Sequence, residues 1–228
     1  MTTPKPADTL SLPSPVEDYR ALGLALLPCR AGGKQPLFAG WRELPAAEQL
    51  ARAARRGRPY NLAARCGNGL VVVDCEDEET ARRAIDWLGM NGLARCPVVR
   101  TPGGGKHLWL RCDDVPEDEA AFHPLTRQVG RGELRCGEGA YVLLPPSVAY
   151  SARAGAARPY TVEEPLELLE ELYPLPWSVV SVLADLPEDL PHDEPVDVPV
   201  LLPRQPAPPL VEELFAILNT APQGVPIP

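Results

Sequence analysis

The run Leu70-Val71-Val72-Val73 leads without a break into Asp74-Cys75-Glu76. Four consecutive apolar residues, three of them β-branched, read as a strand covered on both faces. Such a strand needs a layer on each side, so the surrounding chain must supply helices or a second sheet. Its end has the opposite character. Side chains two apart in a strand share a face, so Asp74 and Glu76 point one way and Cys75 the other. Two carboxylates that close repel unless a cation lies between them, and hard oxygen donors suit Mg2+ or Mn2+. The acidic run continues through Asp77-Glu78-Glu79. Acidic residues also favour a helix N-terminus, so a solvated helix start explains the segment as well.

Turn signals and hydrophobic periods place other elements around this strand. They predict a helix over 16–25, a short strand Leu24–Leu27 ending at Pro28, and a helix over 45–56. A strand at Leu62–Arg65 follows, then a helix over Glu78–Leu88 with Ala81, Ile85 and Leu88 inward. Strands at Pro97–Thr101 and Lys106–Arg111 flank the Gly103-Gly104-Gly105 loop, and 113–125 reads as a polar loop. Strands Glu133–Cys136 and Ala140–Leu144 are joined by Gly137-Glu138-Gly139. A terminal helix is expected over 162–173. The sum is an α+β domain over about 16–182.

The 29 prolines concentrate toward the two ends. They suggest a flexible N-terminal arm at 1–15 and an acidic, Pro-rich linker or tail at 183–228, with a short amphipathic helix possible over 211–218. The net charge of −9 at first argues against a nucleic-acid partner. Its distribution reverses that. Residues 18–162 carry 20 Lys and Arg against 16 Asp and Glu, a balance of +4, whereas 163–228 carry −12. The six cysteines include no C-x-x-C pair, so no zinc is expected. With no signal peptide and no long apolar span in the sequence, the expectation is a cytoplasmic protein with reduced cysteines and no membrane partner.

Two further pieces resemble the first in placing polar groups at strand ends. His107 follows three glycines and shares a strand face with Trp109 and Arg111. Glycine backbones let N–H groups approach an anion; a tight hairpin with a surface histidine is the alternative. Glu133 and Arg135 share a face, either as metal ligand and phosphate-binding guanidinium or as a surface ion pair. Lys34 stands on a Gly33-Lys34-Gln35-Pro36 turn, and no P-loop occurs. Arg52, Arg55, Arg56 and Arg58 make a basic cluster that suits a nucleic-acid backbone or merely a solvated helix face.

In order and spacing these pieces resemble the primase–polymerase (Prim-Pol) domain of the archaeo-eukaryotic primase superfamily, the N-terminal domain of bifunctional DNA primase/polymerases. The resemblance runs through Gly33-Lys34-Gln35-Pro36, Tyr60-Asn61-Leu62-Ala63, Val73-Asp74-Cys75-Glu76, Thr101-Pro102-Gly103-Gly104-Gly105-Lys106-His107, Glu133-Leu134-Arg135 and Pro145-Pro146-Ser147. It implies mixed and antiparallel sheets flanked by helices, with an RRM-like catalytic half. It further implies that Asp74, Glu76 and Glu133 bind two Mg2+ or Mn2+ ions and that His107 contacts the phosphates of an incoming dNTP or NTP. Lys34, Gly104, Gly105, Lys106 and Arg135 would line the nucleotide pocket. Glu133 stands where aspartate is commoner, and glycine replaces the small hydroxyl residue often found before the histidine.

The chemistry implied is template-directed nucleotidyl transfer on a single-stranded DNA template or primer, as primase, polymerase or both. The two ions would clamp the in-line transition state. The family often carries a fused helicase, which makes a separate replicative helicase a candidate partner. A metal-dependent nuclease or phosphohydrolase, and a catalytically silent nucleic-acid-binding replication module, are the alternatives.

Overall fold

The computed structural model describes residues 15–185. Nearly all of the expected arm and acidic tail, with the 211–218 helix and His192, lies outside the described residues. The described chain runs α1 (Pro15–Ala21), β1 (Leu26–Arg30), α2 (Ala46–Arg55), β2 (Tyr60–Arg65), β3 (Leu70–Cys75), α3 (Glu78–Met90), β4 (Val98–Arg100) and β5 (Lys106–Arg111). It continues through β6 (Phe122–Pro124), β7 (Gly132–Arg135), β8 (Tyr141–Leu143), β9 (Val148–Ser151), β10 (Ala156–Pro159), β11 (Thr161–Glu164) and α4 (Trp177–Val180).

Three sheets result, ordered β1-β2-β8, β10-β9 and β11-β4-β5-β3-β7-β6. Every pairing between these strands is antiparallel, rather than mixed. The fold class is α+β, as expected. The apolar run takes the interior of the six-stranded sheet, and only Asp74 within β3 is less than fully buried. One face of that strand, with Val72, joins Trp109 of β5 and the three-stranded sheet in one core. The other, with Val71 and Val73, packs with Leu108, Leu110 and α3 residues Ala81, Ala84 and Leu88. Both layers demanded by the apolar run are therefore present.

Several local expectations are corrected. Helix α1 stops at Ala21, short of residue 25. Strand β1 does not end at Pro28 but runs through it to Arg30. It is an edge strand, and the proline's missing N–H would face away from β2, where the Pro28 carbonyl accepts from Leu37 N. The terminal helix over 162–173 is instead strand β11 followed by a single 3-10 turn at Leu169–Glu171. Pro165 interrupts any helix across that segment, and Thr161-Val162 add an edge strand against β4. Ile85 is 41% exposed; Thr80 and Ala84 join Ala81 and Leu88 inward. Residues 113–125 are not all loop, since β6 adds an edge to the large sheet. β7 and β8 belong to different sheets, so their glycine connection carries the chain from one layer to the other.

Candidate active site

Register builds the site. On β3, Asp74 stands directly opposite His107 of β5 on one side and Glu133 of β7 on the other. Directly opposed residues in an antiparallel pair share a face, so His107, Asp74 and Glu133 form a row across three strands. The next row on that face is Trp109, Val72 and Arg135. Above the polar row lies a pocket of about 700 Å3, lined also by Lys34, Glu76, Thr101, Pro102, Gly103, Arg131, Tyr150, Ser151 and Arg153. A smaller adjoining cavity of about 280 Å3 shares Lys34, Asp74, His107 and Arg135 and is backed by Tyr141, Leu143 and Tyr160. It lies where the faces of the two larger sheets meet.

Arg135 organises the charges. Its Nε donates to Asp74 Oδ2 at 3.1 Å, and its Nη2 lies 2.7 Å from Glu133 Oε2. His107 Nε2 is 3.4 Å from Asp74 Oδ1. His107 is buried, against the alternative of a surface histidine, and its ring is tilted on Tyr160 at 5.6 Å. Its Nδ1 is buried and without a partner among the described residues. Burial alone pushes the Asp74 carboxyl up. The charge and hydrogen bond of His107, then the charges of Arg135 and Lys34, outweigh that and hold it well below the usual carboxylate range.

The sign of the consequence follows from linkage. A carboxyl with a folded pKa below its unfolded value stabilises the fold above the unfolded value, and that contribution is lost as pH falls toward the folded one. Thermal stability is expected to drop as pH is lowered from about 4 to about 2, and Asp74→Asn should flatten that drop in parallel melts. Equal slopes for the two proteins would contradict the pairing.

Two glycines let the neighbouring strands close on the carboxylate end of β3. A Cβ on Gly132 would lie 2.0 Å from Asp74 O, at a backbone φ of 149° that favours glycine. A Cβ on Gly105 would lie 2.1 Å from Cys75 O. The acidic run divides its labour. Asp77 caps α3 by accepting from Thr80 N at 2.9 Å, Glu78 pairs with Lys106, and Asp74 and Glu76 line the pocket. The cap reading and the site reading are both realised, by different residues.

Not every expected residue reaches the pocket. The amides of Gly104 and Gly105 donate to Thr101 O and Thr101 Oγ1, and the loop members that line the pocket are Thr101, Pro102 and Gly103. Lys106 lies on the opposite strand face from His107, with Nζ 2.7 Å from Glu78 and 2.6 Å from Glu163. Among the arginines of α2 and its following turn, Arg52 pairs with Glu48 and Arg56 covers the Phe38 ring at 4.6 Å. Arg55 and Arg58 are exposed, and none of the four lines the pocket. His123, expected in a polar loop, is buried on β6 with Nε2 2.7 Å from Glu119 Oε1.

The residues given no role from the sequence are Thr101, Arg131, Tyr150, Arg153 and Asn61, although Thr101 and Asn61 lie within motifs that carry the family resemblance. Arg131 precedes the glycine of Gly132-Glu133, a position the motif could have flagged. Tyr150 and Arg153 arrive only because the β9–β10 hairpin folds against the glycine loop, and no local pattern announces that. Asn61 lines neither of the two cavities of the site yet shapes them. Its side-chain amide donates to Gly33 O at 2.8 Å and Val148 O at 2.6 Å and accepts from Val148 N at 3.1 Å. It thereby ties the Lys34 turn to the hairpin. Asn61→Ala is expected to cost about 2 kcal/mol in urea unfolding, because the three part-buried bonds to Gly33 and Val148 are lost together. A cost within error of zero would deny it that role.

Divalent cations fit the site by donor chemistry. Asp74, Glu76 and Glu133 bring hard oxygens to one pocket. They are not gathered as a ready coordination group, since no three His, Cys, Asp or Glu side chains among the described residues form one. Arg135 lies between Asp74 and Glu133 instead.

The family model for the N-terminal domain of bifunctional DNA primase/polymerases, Prim-Pol, matches residues 16–178. The chain belongs to the Prim-Pol family. No curated protein matches it. The matched span begins in α1, ends in α4 and contains the whole polar row. Prim-Pol membership points to primase/polymerase nucleotidyl transfer, with nucleotides and nucleic acid as substrates. No described helix is long and apolar enough to cross a membrane.

Proposed function

We propose that this Prim-Pol chain carries out template-directed nucleotidyl transfer on single-stranded DNA, starting primers, extending them, or both. The observation that carries this is the in-register row His107–Asp74–Glu133 at the floor of a pocket edged by Lys34, Arg131, Arg135 and Arg153. Carboxylates below and cations around suit a triphosphate better than a simple hydrolytic site does.

Asp74, Glu76 and Glu133 would hold the divalent ions. Bound there, such ions supply charge neutralisation at the phosphates and a more acidic attacking hydroxyl. His107 would donate to a phosphate oxygen; it lines both cavities, and its Nδ1 has no partner among the described residues. Lys34 and Arg135 would add charge-assisted hydrogen bonds. The rest of the acceleration would come from positioning in a pre-set electrostatic environment. The catalytic domain would span 16–182 in the superfamily's primase fold, with the flanking segments acting as arm and linker.

The test incubates the full chain with single-stranded template, labelled nucleotides and Mg2+ or Mn2+, with and without primer, beside Asp74→Ala/Glu76→Ala. Product growth that disappears in the double variant is expected. Shortening of the DNA would replace this reading with a nuclease, and salt-dependent binding without synthesis would replace it with a silent module.

A further inference from the structure

One wall of the pocket is a hairpin with a bare face. In the β9–β10 pair, Tyr150 is opposite Ala157 and Val148 opposite Pro159, so these four side chains share a face. All four are exposed, Tyr150 by 63%. The reverse face carries Ala149, which is buried in the core shared with the three-stranded sheet. The hairpin is also held in place. Asn61 grips Val148, Ser151 Oγ accepts from Ala154 N at 3.2 Å, and Arg153 Nη1 donates to the Glu76 carbonyl at 2.9 Å.

An exposed tyrosine on a held hairpin therefore lines the same pocket as two guanidiniums, Arg153 and the 69%-exposed Arg131, which lies 3.6 Å from both Glu76 and Asp77. An aromatic plane with nearby cations is how single-stranded nucleic acid is held without sequence preference. The ring takes a base, and the cations take phosphates. Tyr150 lines the pocket, whereas Val148 and Pro159 do not. The apolar face thus continues past the pocket, as a polymer requires and a mononucleotide does not. Four side chains are also too few for a stable protein interface, which covers about 800 Å2 per partner.

We propose that Tyr150 is a stacking platform for an unpaired base of single-stranded DNA at the pocket mouth, with Arg131 and Arg153 taking the flanking phosphates. This rests on the nucleotidyl-transfer reading of the pocket. The test is anisotropy of a labelled oligonucleotide with the full chain in EDTA, so that no catalysis enters. Tyr150→Ala should weaken binding about tenfold, Tyr150→Phe should restore it, and an oligonucleotide of abasic sites should bind wild type and Tyr150→Ala alike. Equal affinity of wild type and Tyr150→Ala for the normal strand would overturn the proposal. So would a loss confined to nucleotide affinity, or a wild-type dimer that Tyr150→Ala converts to monomer. Synthesis that survives Asp74→Ala/Glu76→Ala, with the Tyr150 effect intact, would instead overturn the catalytic reading and leave DNA binding standing.

Discussion

Asp74→Asn is expected to lower template-directed synthesis at least about 100-fold while leaving the protein folded and bound to DNA. The substitution keeps the size of the side chain and one carbonyl oxygen. It removes the negative charge that stands between His107 and Glu133 in the strand row. A neutral amide is a weaker ligand for a divalent cation than a carboxylate is and cannot balance Arg135 and Lys34. The fold should tolerate the change, because Arg135 keeps Glu133 at 2.7 Å and Asn can still accept from its Nε. Primer extension timed against wild type, with thermal melts and oligonucleotide anisotropy on the same samples, separates these effects. Residual synthesis above about a tenth of wild type would remove Asp74 from the chemistry.

The largest effect on stability should come from Gly132→Ala, at about 3 kcal/mol or more. The added methyl would meet the Asp74 carbonyl at 2.0 Å in a backbone conformation L-residues avoid. Neither side can yield cheaply. Asp74 belongs to the buried central strand, and the next residue of the glycine's own strand, Glu133, must stay in register with it. Urea unfolding reads the cost directly. The strain acts on the carbonyl of Asp74, the aspartate proposed to hold the metal ions, so synthesis measured well below the melting temperature should also fall. A variant as stable and active as wild type would show that the β3–β7 contact is looser than its geometry states.

The contrast between what was and was not legible has a physical basis. The apolar run Leu70–Val73 announced a strand buried on both sides, and period-two alternation placed Asp74, His107, Glu133 and Arg135 correctly on their faces. What alternation cannot supply is register between strands. That Asp74 stands level with both His107 and Glu133 depends on three distant segments pairing, with Gly105 and Gly132 allowing the approach. The same limit hid Tyr150 and Arg153, whose hairpin belongs to another sheet. Local rules failed where two of them competed. Leucine and glutamate content favoured a helix over 162–173, but Pro165 and an available sheet edge prevailed. Ile85 met the helical period yet faces outward, because small residues at Ala81 and Ala84 let α3 lie close against the sheet. Lys106 shows the converse. Its neighbourhood suggested the pocket, but the parity of β5 turns its side chain to Glu78 and Glu163.

The Asn61 amide joins the turn that carries Lys34 to the hairpin that carries Tyr150 and Arg153. Two walls of the cleft thus share one rivet, while the floor is welded into the sheet. Arg153 adds a second tie, from the hairpin to the Glu76 carbonyl just past β3, so a shift in one wall is felt in the other and at the end of the floor strand. Changes made in either wall should then fail to add, because each perturbs the same joint.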